Sequence, residues 1–321
     1  MNFHSLIHDF GTSTVTGLAQ GSIFALFALG YTLVYGVLRL INFAHSEVFM
    51  LGTFAAIGVW SALGYSENAA APAFWALVGL LLIAFLAAMA TSGATAVMLE
   101  LVAYRPLRRR NAPPLAFLIT AIGMSLFLQE LVGVGFGRFS THRNPVGAPV
   151  LIKPAVVFSF GTTKVYSQYI LLIATALVMM FLLDRFINNT RMGRGIRAVA
   201  QNPDSAALMG VNKNRVISLV FLIGGLTAGI AAVLYVIRIG NTSYNTGFQL
   251  GIEAFTAAVL GGIGNLRGAL LGGLLLGVVE NYGSSLFGTQ YHTVVAFVIL
   301  VLILLFRPTG LLGESLGRAR A

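Results

Sequence analysis

Apolar stretches close to the thickness of a bilayer core follow one another along the whole chain. They cover 14–38, 46–64, 73–102, 114–134, 168–187, 216–237, 249–265, 268–288 and 291–306. A helix of about 20 residues crosses a hydrocarbon layer of about 30 Å. The stretches are continuously apolar rather than alternating, which argues against a β-barrel. Composition agrees: 57% of residues are hydrophobic and 9% charged, against roughly 25% charged in soluble domains. The mean hydropathy is +0.86. The sequence therefore predicts an all-α polytopic membrane protein of about 8–9 transmembrane helices, with broken or re-entrant segments. Stretches 46–64 and 249–265 are short and rich in small residues, so either is a candidate for re-entry.

The basic residues suggest an orientation. If the first stretch runs from outside to inside, the inner loops and ends hold Arg39, Arg105, Arg108, Arg109, Arg110, Arg185, Arg191, Arg194, Arg197, Lys213, Arg215, Arg267, Arg307, Arg318 and Arg320. Only Arg138, Arg143, Lys153, Lys164 and Arg238 remain outside. The positive-inside rule then predicts an outer N-terminus and a cytoplasmic C-terminus, which needs an odd number of crossings. The formal net charge of +10 fits attraction to the anionic inner leaflet and its lipid. A nucleic-acid partner is not expected, because the basic residues lie in membrane-proximal loops rather than on one soluble face. The first ten residues, MNFHSLIHDF, have no basic region and no small-residue cleavage site, so no removable signal peptide is expected. The whole of 1–321 reads as a single transmembrane domain. Residues 135–167, rich in Pro, Gly, Thr and Val, suit an outer loop with short strands or a lid. Residues 188–215 form the inner loop.

Enzyme signatures are missing. There is no GxSxG, HExxH or phosphate-loop GxxxxGK[ST]. With no cysteine in the chain, disulfides, thiolate metal sites and a Cys nucleophile are excluded. His4 and His8 have the spacing of metal ligands on one helix face, but no third ligand lies nearby, and a polar interfacial face is the better reading. No metal site is expected. His142 and His292 read as loop or interface residues.

Glycines recur four residues apart at Gly17 and Gly21, Gly225 and Gly229, Gly264, Gly268 and Gly272, and Gly273 and Gly277. Small residues at this period let helix backbones approach closely in lipid. The stretch GGIGNLRG (261–268) is too glycine-rich to hold a continuous helix and predicts a break. A second polar interruption is INFAHSEVFMLGTF (41–54), where Asn42, His45, Ser46 and Glu47 sit between two apolar runs. A break is expected there too, with Asn42, His45 and Glu47 satisfying backbone groups. Irregular backbone at this depth is tolerated only when buried in protein or lining a cavity, and paired breaks point to a transport path.

Six acidic residues fall in or beside apolar runs. Glu100 and Asp184, beside Arg105 and Arg185, read as solvated or paired interfacial charges, and Glu130 is similar at an outer end. Glu47 belongs to the interruption above, and Glu253 begins the motif that contains GGIGNLRG. Glu280 is deeper. An unpaired carboxylate there costs about 2.5–3.5 kcal/mol on insertion scales, so it should face the bundle interior or water. It then serves either a pathway or a polar bond that fixes helix register.

The inner loop GRGIRAVAQNPDSAALMGVN reads as a short helix, a break and a second short helix. Asn202 caps the second helix and Pro203 occupies its first turn. Asp204 favours the positive end of its dipole, and Gly210 ends it. Ala206, Ala207, Leu208 and Met209 make a small apolar surface. An apolar knob on a basic loop suits docking into a groove on a soluble partner; the plainer reading is an amphipathic loop on the membrane surface.

Several motifs together resemble one family. They are GSIFALFALGYTLVYGVLRLINFAHSEVFMLGTF (21–54), VAYRPLR (102–108), LITAIGMSLFLQ (118–129), GRGIRAVAQNPDSAALMGVN (193–212), EAFTAAVLGGIGNLRGALLGGLLLGVVE (253–280) and LLFRPTGLLG (304–313). The chain is similar to LivH-type permease subunits of bacterial ABC importers for branched-chain amino acids. The resemblance implies a multi-pass protein of the bacterial inner membrane that passes Leu, Ile and Val from a periplasmic binding protein to the cytoplasm by ATP-driven alternating access. It implies a paralogous permease subunit as partner in a heterodimer and two cytoplasmic ATPase subunits on separate chains. No cofactor is then bound by this chain, and ATP is used by the partner ATPases. It gives Arg197, Asn202, Pro203, Asp204, Ala206, Ala207, Leu208 and Gly210 to ATPase coupling. Asn42, His45, Glu47, Glu253, Gly262, Gly264, Asn265 and Glu280 are expected at the path or its gate. The motifs specify the substrate less closely, so a urea or short-amide permease of the same family is an alternative. A proton-driven secondary transporter using Glu47 or Glu280 is another.

Overall fold

A computed structural model describes residues 10–67, 69, 72–135, 144–160 and 163–313. His4, His8, Arg138, His142, Arg143, Arg318 and Arg320 lie outside the described residues, as does part of the segment 135–167. Helix α1 covers Phe10–Leu38, α2 His45–Ala62 and α3 Phe74–Leu99. A π turn, Glu100–Tyr104, joins α3 to α4 (Arg105–Arg109), and α5 covers Pro114–Val134. Three short strands follow, β1 (Val146–Gly147), β2 (Val156–Phe160) and β3 (Thr163–Tyr166). Then come α6 (Ser167–Asn189), α7 (Arg191–Gln201), α8 (Pro203–Leu208) and α9 (Lys213–Ile239). Strand β4 (Asn241–Thr242), α10 (Thr246–Gly261), α11 (Leu266–Phe287), a 3-10 turn (Thr289–Tyr291) and α12 (His292–Phe306) complete the order.

Among the described residues six helices are long and apolar enough to cross a membrane: α1, α3 continued through α4, α5, α6, α9 and α11. The other three apolar stretches fold into shorter helices. α2 has 18 residues and opens on His45, Ser46 and Glu47; α10 has 16 residues and α12 has 15. At 1.5 Å per residue, α10 and α12 reach only about 22–24 Å, less than the hydrocarbon thickness. The chain is thus a polytopic helical membrane protein.

Contacts group the chain into two compact units. One comprises residues up to 32, residues 154–185 and those from 252 onward; the other comprises 33–153 and 186–251. In the second unit α2, α3 and α9 pack through small residues. A Cβ at Gly229 would stand 2.6 Å from the carbonyl oxygen of Ala88, and one at Gly225 would stand 2.6 Å from that of Ser92. Backbones meet where lipid provides no hydrophobic drive for association, so dispersion and polar contacts must hold the helices together. Ser92 Oγ donates to the Val48 carbonyl at 2.9 Å, and Trp60 Nε1 donates to that of Leu80 at 3.2 Å. Strand β1 pairs antiparallel with β4, matching Val146 to Thr242.

In the first unit the same chemistry joins α1 to α11. A Cβ at Gly21 would lie 2.5 Å from the Gly273 carbonyl oxygen, and one at Gly17 2.9 Å from that of Gly277. The recurring glycines are therefore contact points between backbones. The exception in that pattern is Gly264, which lies in no helix and has open space where a Cβ would be. Strands β2 and β3 form a hairpin with Phe160 opposite Thr163.

Gly229→Val forces a branched side chain against Ala88 and Met89. It should cost about 1–3 kcal/mol of stability, as overpacking does. At Gly58, where nothing lies within 4 Å, an alanine should change stability by no more than about 0.5 kcal/mol. Thermal unfolding of the two variants in detergent measures both.

Candidate functional site

The first break runs from Arg39 to Ala44. α1 stops at Leu38, and Arg39 takes a left-handed φ of +53°. Carbonyls of the break accept from the first turn of α2. His45 N–H donates to the Asn42 carbonyl at 3.1 Å and Ser46 N–H to that of Phe43 at 3.2 Å. Ser46 Oγ adds a second bond to the Phe43 carbonyl at 2.5 Å. The break itself matches the sequence expectation, but Asn42 and Glu47 take other partners than the backbone groups assigned to them. Asn42 Oδ1 accepts from the Tyr104 hydroxyl at 2.6 Å, on the π turn. Glu47 Oε1 accepts from Ser125 Oγ of α5 at 3.1 Å and from Ser46 Oγ at 3.3 Å. Asn42, His45, Ser46 and Glu47 are all buried. His45 and Glu47 belong to the first turn of α2, where a helix dipole favours a carboxylate.

A second interruption escaped the sequence analysis. Residues 238–248 read there as a connection between two spans. Instead, Gly240 ends α9 with a φ of +78°, and the chain folds back along α2. Thr242 and Thr53 are fully buried with their hydroxyls 2.6 Å apart. A Cβ on Gly247 would stand 2.5 Å from the Ser46 carbonyl oxygen and 2.8 Å from Glu47 Oε2. Helix α10 therefore begins beside the buried carboxylate of Glu47, and only glycine permits that approach. Ser243 N–H donates to Thr246 Oγ1 at 2.9 Å, and Ala148 N–H donates to the Gly240 carbonyl at 2.8 Å. The signal was GNTSYNTG, a run of turn and cap residues.

The third interruption falls at GGIGNLRG, as the sequence predicts. Gly262 and Gly264 have φ values of +103° and +101°, which favour glycine. Asn265 then caps α11: its Oδ1 accepts from Arg267 N–H at 3.0 Å and Gly268 N–H at 3.2 Å. Its Nδ2 donates to the Leu312 carbonyl at 2.8 Å.

The acidic residues have specific partners. Glu100 is fully buried and paired with Arg105 rather than solvated. It accepts from Arg105 Nη2 at 3.1 Å, Arg105 Nε at 3.3 Å, Ser218 Oγ at 2.9 Å and the Arg108 guanidinium. This ties the π turn and α4 to α9. Asp184 pairs with Arg267 at 3.1 Å rather than with neighbouring Arg185. Glu253 of α10 and Glu280 of α11 are buried together, each 3.5 Å from a ring nitrogen of His292. His292 thus heads α12 against two carboxylates, where the sequence analysis left it as a loop or interface residue. Nothing local in the sequence joins it to Glu253.

The inner loop folds as the sequence predicts. Thr190 caps α7, accepting from Gly193 N–H at 2.9 Å. Asn202 Oδ1 caps α8, accepting from Asp204 N–H at 3.0 Å and Ser205 N–H at 2.9 Å, with Pro203 in the first turn. Gly210 follows at φ +84°. The apolar surface differs from the expectation in one respect. Ala206 turns inward, whereas Leu208 and Met209 are 88% and 85% exposed. Arg197 points back, donating to the Ile187 carbonyl and to Asn188 Oδ1 at 3.3 Å.

Spanning helices, breaks bonded by their own polar residues and an exposed apolar knob together define a polytopic membrane protein built around interrupted helices. The sequence family described as branched-chain amino acid transport system / permease component matches residues 13–304. The chain belongs to that family. It is 44% identical over 312 residues to the high-affinity branched-chain amino acid transport system permease protein BraD of Pseudomonas aeruginosa, covering 96% of this chain and 97% of that one. It is 41% identical over 305 residues to the high-affinity branched-chain amino acid transport system permease protein LivH of Escherichia coli, covering 93% and 94%. It is 25% identical over 319 residues to the probable branched-chain amino acid transport permease protein LivH of Methanocaldococcus jannaschii, covering 96% and 95%.

The surroundings of Glu47 set the outcome of its replacement. Glu47→Gln keeps an acceptor for Ser125 and Ser46, and should assemble at near-parental yield. Glu47→Leu strands the buried Ser125 hydroxyl, at a cost of about 1–3 kcal/mol. Yield and melting temperature of the two variants, purified in parallel, compare the effects; equal loss in both would mean that the carboxylate charge, not its accepting oxygen, is what the site requires.

Proposed function

We propose that this chain is the membrane permease subunit of an ABC importer for branched-chain amino acids. It passes Leu, Ile and Val from a periplasmic binding protein into the cytoplasm. The observation that carries the reading is the likeness to BraD over nearly the full length of both chains. In this reading a paralogous permease completes the path as a heterodimer, and two cytoplasmic ATPase subunits use the ATP, so the chain itself holds no cofactor. The substrates share a zwitterion and differ in small apolar side chains. A path for them needs apolar walls and few strong contacts, because tight binding slows release.

Residues 1–321 act as one permease domain, with 135–167 outside and 188–215 as the cytoplasmic coupling loop. The N-terminus lies outside and the C-terminus in the cytoplasm. The chain crosses by its six long helices and by α2, by β4 with α10 together, and by α12. Arg39 Nη2 approaches the Ala200 carbonyl at 3.5 Å, which supports an inner position for the first break beside α7. The pair of Arg267 with Asp184 likewise supports an inner position for the break at 262–265. Asn42, His45, Glu47, Gly262, Gly264 and Asn265 then lie at the inner gate, with Glu253 and Glu280 further along the path.

Coupling runs through α8. Asn202, Pro203 and Asp204 fix the start of the helix, and Gly210 ends it. Leu208 and Met209 are the side chains that enter a groove on the ATPase, with Ala207 allowing close approach. Arg197 anchors α7 to the end of α6, and Ala206 packs α8 inward. In reconstituted vesicles, leucine with its binding protein should stimulate ATP hydrolysis. Leu208→Asp should abolish that stimulation while leaving membrane insertion intact, since a groove anchor is worth about 2 kcal/mol or more. Full stimulation in an assembled Leu208→Asp complex would remove α8 from the coupling role. Leucine uptake that persists without the ATPase and collapses with an uncoupler would overturn the importer reading.

A further inference from the structure

We propose that Glu253, Glu280 and His292 form a binding site for one divalent transition-metal ion, with zinc as the representative occupant. The proposal does not depend on the transport reading. The three residues come from three elements, α10, α11 and the first turn of α12, and one ligand atom from each lies within 4.8 Å of the others. Their convergence is a property of the fold, since no two are neighbours in sequence.

The cluster lacks the partners that buried carboxylates need. Glu280 is fully buried, and among the described residues neither of its carboxylate oxygens has a hydrogen-bond partner. Its Oε2 points at His292 Nε2, and Glu253 Oε1 faces Nδ1, each at 3.5 Å. That separation exceeds the usual 2.7–3.2 Å of an N–H···O bond. The ring therefore stands between the carboxylates without bonding strongly to either. One turn further along α11, Ser284 Oγ is also buried without a partner. Buried charge of this kind persists only when paired or coordinated to metal, and otherwise the group takes up a proton and neutralises.

Charge selects among the ways to relieve it. Two carboxylates with a neutral imidazole carry two negative charges, and a divalent cation balances them. A protonated imidazole would leave one negative charge buried. A proton on the Glu280 carboxyl, its own or shared with Glu253, would call for a hydrogen-bond partner there, and among the described residues it has none. Ligand type narrows the ion. One imidazole nitrogen with two carboxylate oxygens suits zinc, manganese or ferrous iron, whereas calcium and magnesium take all-oxygen shells. Around tetrahedral zinc, ligand atoms stand about 3.4 Å apart, given bonds of about 2.0–2.2 Å. One ring nitrogen already stands 3.5 Å from a carboxylate oxygen, and one ligand atom from each of the three residues lies within 4.8 Å of the others; side-chain shifts of about an ångström close the set to that spacing. The His292 side chain is 29% exposed, which leaves a route for the ion. Once bound, the ion clamps α10, α11 and α12 together.

Full-length protein purified in detergent is stripped with a chelator and titrated with zinc chloride. Metal content after gel filtration and titration calorimetry should give one zinc per chain. Glu280→Gln and His292→Ala should each weaken binding by at least about tenfold, the least expected for a ligand when loss of an outer-shell partner costs that much. A His4→Ala/His8→Ala variant should bind as the parent does. Zinc should raise the melting temperature of the parent and not that of the two ligand variants. If Glu280→Gln does not fold, the partly exposed His292→Ala carries the test. Zinc that binds below one per chain, or equally well to the folded ligand variants, or only through His4 and His8, would overturn the proposal.

Discussion

A bilayer core offers no water to an exposed N–H or C=O, and each unpaired group there costs several kcal/mol. A chain with three helix interruptions at 39–44, 240–245 and 262–265 must therefore satisfy each from within the protein. Ser46 Oγ bonds the backbone at the first, Thr246 Oγ1 and the distant Ala148 N–H do so at the second, and Asn265 at the third. Left-handed backbone at Arg39, Gly240, Gly262 and Gly264 turns the chain at each point. Each interruption carries polar groups that the long apolar helices exclude.

The buried carboxylates divide into two kinds. Glu100 accepts from two guanidinium groups and a serine, so its charge is satisfied and links the π turn and α4 to α9. Removing such a partner leaves an uncompensated buried charge and costs about 3–5 kcal/mol. Glu47 has two hydroxyl donors on one oxygen and none on the other. The Glu280 carboxylate has no hydrogen bond among the described residues. The first kind fixes structure, and the second holds capacity for a guest or a change of partner.

Much of this was legible in the sequence because the responsible forces act locally. Apolar length marks the six long helices. Glycine spacing marks the contacts of Gly17, Gly21, Gly225 and Gly229. Asn202-Pro203 and Gly262 through Asn265 carry their own cap and turn chemistry. What stayed hidden depends on contacts between residues far apart in sequence. GNTSYNTG shows that the chain turns but not that the turn lies against Thr53 and Glu47. Asp184 found Arg267, 83 residues away, rather than its neighbour. His292 shows no local sign of Glu253 and Glu280. Ala206 and Leu208 look alike in sequence, and the packing of α8 alone decides which faces outward.

The central claim is that the second interruption turns inside protein, where Thr242 is fully buried against Thr53. Hydrogen–deuterium exchange on the protein in lipid nanodiscs tests it directly. The bonded amides of Ser243 and Thr246 should exchange at least about a hundredfold more slowly than those of 202–212, as enclosed and exposed segments do. Exchange at Ser243 and Thr246 as fast as in the 202–212 loop would show that water reaches this break freely, and would contradict the claim.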